Sequence, residues 1–296
     1  MSHGAVSFAG LCFALEGPGS LCADMVRASR VEHEAAASSS APGELTVACE
    51  LLPLAEEAAQ GVPARAGTRW QWSGDEGELV TRFGRARVWR EARGFGAQVW
   101  VSSDPLAAHF MLSGLSSLVL HQAGGVILHA ASVELDGGVV AFVGPSGAGK
   151  STACQRVEGA RLFSLDRLAL TPSFTGNEGV AGGGLWLAHP LPGGTLPNPP
   201  MAHSTARQLP LHAVLRVHQA SEGTWVEPRS AAQAVSLLRE SAFQTGQRPS
   251  AELELLGLLE RLTTAVPVAA LYHTLGTRLR PLLGRWLASG GKERHV

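Results

Sequence analysis

Lysine is almost missing from this sequence: Lys150 and Lys292 stand against twenty-two arginines. Cysteine is also scarce. Cys12, Cys22, Cys49 and Cys154 show neither C-x-x-C spacing nor the density of a disulfide-stapled domain, which excludes a disulfide scaffold and points to a reducing, intracellular setting. No block of basic residues stands out and the formal net charge is -1, so nothing supports a nucleic-acid partner. The most apolar stretch, Phe110 to Leu135, is interrupted by His121, Gly124, Gly125 and His129 and is no membrane span. The N-terminus lacks the basic start and cleavage site of a signal peptide. Together these absences predict a cytoplasmic protein with no membrane partner. His189, His203, His212, His218 and His273 do not fall at H-x-x-x-H or near a cysteine, so no zinc site is read. No G-x-S-x-G nucleophile elbow is present.

What the chain does have is ordinary globular composition, 45% hydrophobic and 17% charged over 296 residues, enough for one large domain or two smaller ones. One of its two lysines lies in Gly144-Pro145-Ser146-Gly147-Ala148-Gly149-Lys150-Ser151-Thr152, which matches the phosphate-binding loop pattern G-x-x-x-x-G-K-[ST]. In such a loop Gly144, Gly147 and Gly149 let backbone N–H groups turn inward around phosphate oxygens, with Ser146 and Ala148 between them. Lys150 would neutralise the β- and γ-phosphates, and the Ser151 hydroxyl, followed by Thr152, would hold Mg²⁺. The motif predicts a protein that binds ATP or GTP. The competing reading is a glycine turn between strand and helix that binds nothing; it leaves the lysine and two hydroxyls unexplained.

Along the chain, residues 1–103 read as a strand-rich N-terminal region of smaller, α+β type. Apolar runs at Glu44 to Leu52, Glu78 to Trp89 and Ala97 to Val101 look like strands around a small-residue stretch from Ala35 to Gly43. Trp70, Trp72, Trp89 and Trp100 are interleaved with Arg82, Arg85, Arg87, Arg90 and Arg93. The ordinary reading fills a small core with the tryptophans and turns the arginines to water. Residues 104–296 form the second region. Asp104 as N-cap and Pro105 open a helix whose apolar positions are Leu106, Phe110, Met111, Leu115, Leu118 and Val119.

Two apolar runs follow, Val126 to Leu135 and Val139 to Val143, joined by Asp136-Gly137-Gly138, a hairpin signal. Antiparallel partners keep a constant sum of residue numbers, so a two- or three-residue loop puts His129 opposite Gly144 or Pro145, at the mouth of the phosphate loop. The short link also separates this chain from nucleotide hydrolases whose loop strand has parallel neighbours. A helix from Gly149 to Val157, stopped by Gly159, comes next, then one or two strands over Arg161 to Thr171. Residues 173–203, rich in Gly and Pro, read as a lid or binding loop, or as disorder. Leu211 to Val217 and Val266 to Tyr272 read as strands. Ser230 with Gln233 makes a capping box, Ser250 caps a further helix, and Pro281 opens a last one.

Asp166, sixteen residues after Lys150, follows the apolar Leu162, Phe163 and Leu165. It could serve as metal ligand or as base for an incoming hydroxyl, or it could be a turn aspartate paired with Arg161 or Arg167. Taken together, Leu128 to Gly137, the Gly144 to Thr152 loop and Arg161 to Arg167 resemble the HPr kinase/phosphorylase family, which shares a core with ATP-dependent phosphoenolpyruvate carboxykinases. The resemblance covers about residues 126 to 170. It implies an α/β fold with a mixed sheet, and an ATP- and Mg²⁺-dependent kinase acting on a serine-type hydroxyl of a protein, peptide or small molecule. His129 and Asp166 would then assist Lys150 at the transferred phosphoryl group, with Ser151 and Asp166 on the metal. Two features depart from the family. Leu165 stands where the first of two adjacent aspartates is usual, and the downstream arginine- and glycine-rich signature for HPr is missing. The acceptor is therefore not expected to be HPr, and a nucleotide-binding regulator whose chemistry has decayed is the alternative. A carboxykinase-like enzyme ranks last, for want of an arginine motif for oxaloacetate. A homo-oligomer is compatible with all of these readings.

Overall fold

A computed structural model describes residues 1–8, 11–29, 45–54, 69–92, 94–104, 106–173, 184–191, 201–206, 208–243, 249–274 and 276–291. The chain divides into two compact units: Met1–Ala123 with Gln244–Glu252, and Gly124–Phe243 with Leu253–Val296. Pro105, the Ala35 to Gly43 stretch and most of the Gly/Pro-rich segment lie outside the described residues.

The first unit is built on a seven-stranded mixed sheet. Its strands are β1 (Ser2–Phe8), β2 (Leu11–Gly17), β3 (Leu45–Pro53), β4 (Arg69–Ser73), β5 (Glu76–Thr81), β6 (Gly84–Glu91) and β7 (Gly94–Val101), in the order β1-β2-β3-β7-β6-β5-β4. Strands β2, β3 and β7 are mutually parallel neighbours and the other pairs are antiparallel. Period-2 alternation sends Phe13, Val47, Leu51, Leu79, Ala86, Val88 and Val99 to one buried face. Helices α1 (Gly19–Ser29) and α2 (Ala107–Gln122) pack on this unit's strands.

The apolar stripe of α2 is the one the spacing picks out. Met111, Leu115, Leu118 and Val119 are fully buried, while Leu106 and Phe110 remain exposed. Asp104 accepts a hydrogen bond from Leu106 N at 2.8 Å, one residue short of the helix proper. This helix belongs to the first unit, not at the head of the second, because its stripe fits the sheet that precedes it.

Trp89 and Trp100 correct the expectation of an aromatic core, and the Trp70 side chain lies outside the described residues. Trp89 and Trp100 sit on the other face of the sheet. The Trp89 indole covers Gly96, and the Arg85 guanidinium lies 4.7 Å from the centre of the Trp100 ring. Both rings are half-buried, and smaller residues fill the interior behind them. Trp72 covers Gly77 at the edge of the sheet and meets Phe95 edge-on at 5.9 Å.

The second unit holds an eight-stranded mixed sheet: β8 (Val126–Leu135), β9 (Gly138–Val143), β10 (Arg161–Ser164), β11 (Arg167–Pro172), β12 (Trp186–Pro190), β13 (Leu209–Gln219), β14 (Trp225–Pro228) and β15 (Val268–His273). Its helices are α3 (Lys150–Gln155), α4 (Ala231–Ser241), α5 (Pro249–Ala265), which counts with this unit from Leu253 onward, and α6 (Arg280–Ala288). Strand β9 lies between β8, its antiparallel hairpin partner, and β13, which runs parallel to it. The hairpin signal therefore identifies one neighbour correctly, whereas the other is parallel. A parallel partner needs a long crossover, and here it spans everything from the glycine motif to Leu209.

Strand β8 pairs with β11 through its first half and with β10 through its second. Through β11–β12, β12–β13 and β13–β9 pairing, the strands close a circuit. One apolar cluster, with Leu128, Val143, Leu168, Ala188 and Val214, includes residues of α4 and α5. A second, with Phe142, Leu215, Val217 and Leu271, includes Cys154 of α3 and Trp286 of α6. The capping box at α4 is formed, with Ser230 Oγ accepting from Gln233 N and Ser230 N donating to Gln233 Oε1. Among the described residues of the Gly/Pro-rich stretch, Trp186–Pro190 form β12.

Candidate functional site

All six residues of β9 are buried, so the strand delivers a rigid end at Val143. The chain then turns through Gly144 (φ 141°), Gly147 (φ 79°) and Gly149 (φ 95°), backbone angles that L side chains rarely adopt. Pro145, Ser146 and Gly147 are exposed at its tip, and Ala148 N donates to Pro145 O at 3.2 Å. Helix α3 follows at once, anchored by buried Ala153 and Cys154. Burial also raises the Cys154 thiol pKa far above its ordinary value, so it is inert packing. The Lys150 ammonium folds back over the turn and donates to Gly144 O at 2.9 Å and Pro145 O at 3.1 Å. Burial lowers the Lys150 pKa and the charge of Asp166 offsets part of that. Ser151 is exposed and Thr152 half-buried. Such a turn presents backbone N–H groups and one cation to an anion.

The hairpin sets what stands beside it. Asp136 (φ 51°) and Gly137 (φ 82°) both take left-handed angles, as a type I′ turn requires. The register runs from Leu135↔Gly138 to Ala130↔Val143, so the constant-sum rule carries His129 level with Gly144. On the opposite edge of β8, Arg167 pairs with His129 and Ala130 N donates to Asp166 O at 3.1 Å. The two-residue bend at Leu165-Asp166 is closed by Ser164 Oγ, which donates to Arg167 O.

The side chains meet accordingly. His129 Nδ1 is 3.2 Å from Asp166 Oδ1, and Arg167 Nε is 3.7 Å from Asp166 Oδ2. His129 and Asp166 are each 38% exposed, whereas Arg167 is only 16% exposed. Burial lowers the Arg167 pKa and Asp166 raises it. Asp166 thus makes the Arg167 pairing expected of a turn aspartate, and it also meets His129. Leu165 instead packs against the apolar cluster that contains α3 residues.

Residues 107–255 match the family described as SynChlorMet cassette protein ScmC. The chain belongs to the ScmC family. No curated protein matches it. The ScmC match runs through the hairpin, the glycine turn, Asp166 and β13, so the geometry above lies inside the region that defines membership.

Two residues of this ScmC-family chain bear on the turn without having been singled out. Gln219 and His273 end the parallel strands β13 and β15 and face each other in register. A Cβ on Gly149 would lie 3.7 Å from both the Gln219 amide nitrogen and His273 Nε2. His273 is only 1% exposed. Its Nδ1 is 3.3 Å from Thr274 O, and Nε2 has no hydrogen-bond partner among the described residues. Burial lowers its pKa and Arg156 adds to the effect, against the Thr274 hydrogen bond. The signal was available: in sheets of this kind ligands gather at the carboxyl ends of parallel strands. It required knowing that β13 and β15 run parallel to β9.

His189 and His212 pack into the fold away from the turn. His189 is buried with Thr171 Oγ1 2.8 Å from Nε2, and burial pushes its pKa down to about 4. The His212 ring covers Gly138. Among the described residues no group of three or more His, Cys, Asp or Glu converges as a metal cage. A metal at Ser151 and Asp166 would draw its other ligands from phosphate and water, the habit of Mg²⁺.

Proposed function

We propose that this chain is an ATP- and Mg²⁺-dependent kinase that phosphorylates a hydroxyl group, built on a core like that of the HPr kinase/phosphorylase family. The observation that carries the reading is the meeting of three elements at one strand end. These are a turn with three left-handed glycines, a lysine folded onto it, and an Asp166–His129 pair held level with its first glycine. The resemblance of residues 126 to 170 to that family points the same way.

In this reading the turn's N–H groups bind the polyphosphate, and Lys150 leaves its own carbonyls to meet the β- and γ-phosphates. Ser151 and Asp166 would hold Mg²⁺, which supplies charge neutralisation to the phosphate oxygens. The acceptor oxygen bonds to the γ-phosphorus as the bond from that phosphorus to the β–γ bridging oxygen breaks. The hydroxyl proton passes to Asp166 or, through it, to His129, and ADP leaves. Incubation with Mg-ATP and candidate hydroxyl acceptors, a serine peptide among them, tests the reading. Transfer of labelled γ-phosphate that is lost in both Lys150→Ala and Asp166→Asn is expected; transfer persisting in both variants removes the site.

Leu165 favours a second reading. Its side chain is committed to apolar packing, so the site has one carboxylate where the resembled family has two. A nucleotide-binding protein without turnover would bind ATP by calorimetry and transfer nothing to any acceptor.

A further inference from the structure

Alternate residues of β13 face opposite ways. Leu215 and Val217 join the cluster that includes α3 residues, whereas Arg216 and His218 line a cleft of about 250 Å³ against α4. Arg229, Gln233, Ser236 and Glu240 complete its polar wall. Two guanidiniums share this small space. Arg216 Nη1 donates to Glu240 Oε2 at 2.6 Å. Arg229 donates through Nη1 to Glu227 Oε1 at 3.2 Å and through Nη2 to Tyr272 Oη at 2.9 Å. Each guanidinium carries five N–H donors, so these three bonds leave most of their capacity uncommitted.

The arginines are also the deeper groups. Their side chains are 29% and 19% exposed, against 54% for Glu240 and 42% for Glu227. Glu240, the carboxylate that lines the cleft, is thus more open to solvent than either guanidinium. His218 registers the resulting field: burial lowers its pKa, and Arg216 and Arg229 lower it further against the opposing effect of Glu227. The wall is stiff, because His218 stacks on Tyr272 at 4.8 Å and Tyr272 on Trp225 at 4.6 Å. Arg216 is in register with Val143, the residue before the glycine turn.

We propose that this cleft is a second ligand site, in which Arg216 and Arg229 clasp an anionic group, a carboxylate or a phosphate. Paired planar guanidiniums suit both oxyanions through parallel N–H···O bonds. The site stands apart from the kinase reading and does not require it. If that reading holds, its place one strand from the turn suits an acceptor that carries an acidic group.

The test uses the 296-residue chain with Lys150→Ala, which weakens anion binding at the turn, and residue-resolved signals keep the two sites apart. Inorganic phosphate and acetate are titrated separately at constant ionic strength, and the Arg216 and Arg229 side-chain Nε–H resonances are followed by NMR. Saturable shifts of both signals are expected with at least one anion. Response to phosphate alone would mark a phosphate site, and response to acetate a carboxylate site. Arg216→Gln or Arg229→Gln should weaken binding about tenfold or more, since a hydrogen bond to a charged group is lost. Glu240→Gln should tighten it several-fold by freeing Arg216 Nη1. That is the opposite of what a merely structural ion pair predicts, and it decides the matter should an arginine variant fail to fold. Absence of saturable shifts with either anion, or unchanged affinity in Glu240→Gln, overturns the proposal.

Discussion

His129 Nδ1 lies 3.2 Å from Asp166 Oδ1, a contact made by strand register and not by nearness in the chain. The β8–β9 hairpin sets one edge of β8, and the β11 pairing sets the other. If the pair handles the acceptor proton, Asp166→Asn should lower kcat by about 10²–10⁴-fold, the usual reach of general base catalysis, and leave nucleotide affinity much less affected. Single-turnover phosphoryl transfer beside calorimetric ATP binding separates the two effects. Equal losses in both would make Asp166 a binding residue only.

Lys150 is the group on which nucleotide affinity should depend. Lys150→Ala is expected to weaken ATP binding by about tenfold or more, the worth of a charge-assisted hydrogen bond. Lys150→Arg should not restore it, because a bulky planar fork does not take the place of a compact ammonium between the turn and the β- and γ-phosphates. Calorimetry on the three proteins gives the answer, and full rescue by arginine would contradict this account.

At Gly149 backbone and space can be told apart. A Cβ there meets only ordinary contacts at 3.7 Å, so the penalty is conformational. Gly149→Ala should destabilise the protein by about 1–2 kcal/mol, the expense of a left-handed alanine. Denaturant melts of this variant against Ala148→Gly measure it; a neutral Gly149→Ala would mean that the turn relaxes to negative φ.

His189 makes stability depend on acid. Its folded pKa is pushed down to about 4 from an ordinary value of 6.5, so the unfolded chain binds the proton more readily. Stability is then full above the unfolded value and falls as pH drops between the two values. Between about pH 7 and about pH 5 the loss should be about 2 kcal/mol by linkage. His189→Leu should flatten that slope. An unchanged slope in the variant would assign the acid sensitivity to other groups.

Much of this second unit could be read from residue order alone. The Asp-Gly turn, the glycine motif and the Ser230–Gln233 box each act within a few residues, where local chemistry decides conformation. The constant-sum rule even carried His129 to the level of Gly144. Three things lay beyond such local reasoning. The Trp89 and Trp100 rings lie on the face opposite the core because strand alternation puts Val88 and Val99 inward, with Gly96 leaving room for Trp89 and Arg85 stacking on Trp100, which composition does not reveal. Helix α2 joins the sheet before it, although its stripe says only that some sheet must cover it. Gln219 and His273 reach Gly149 through parallel pairing, a long-range choice that no short window contains. Of the proposed chemistry, the sequence supplied the motif and the resemblance, and register explained why the pieces meet.

The β9–β13 pairing has a consequence for how the molecule is made. The strand that carries the turn leans on a partner that begins only at Leu209, so this part of the fold has high contact order and closes slowly. A ribosome that has released only the residues before Leu209 has already emitted Lys150 and Asp166, yet the shelf beneath them is still unsynthesised. The cradle is therefore a late product of folding, and half-made chains carry the motif without the means to hold its shape.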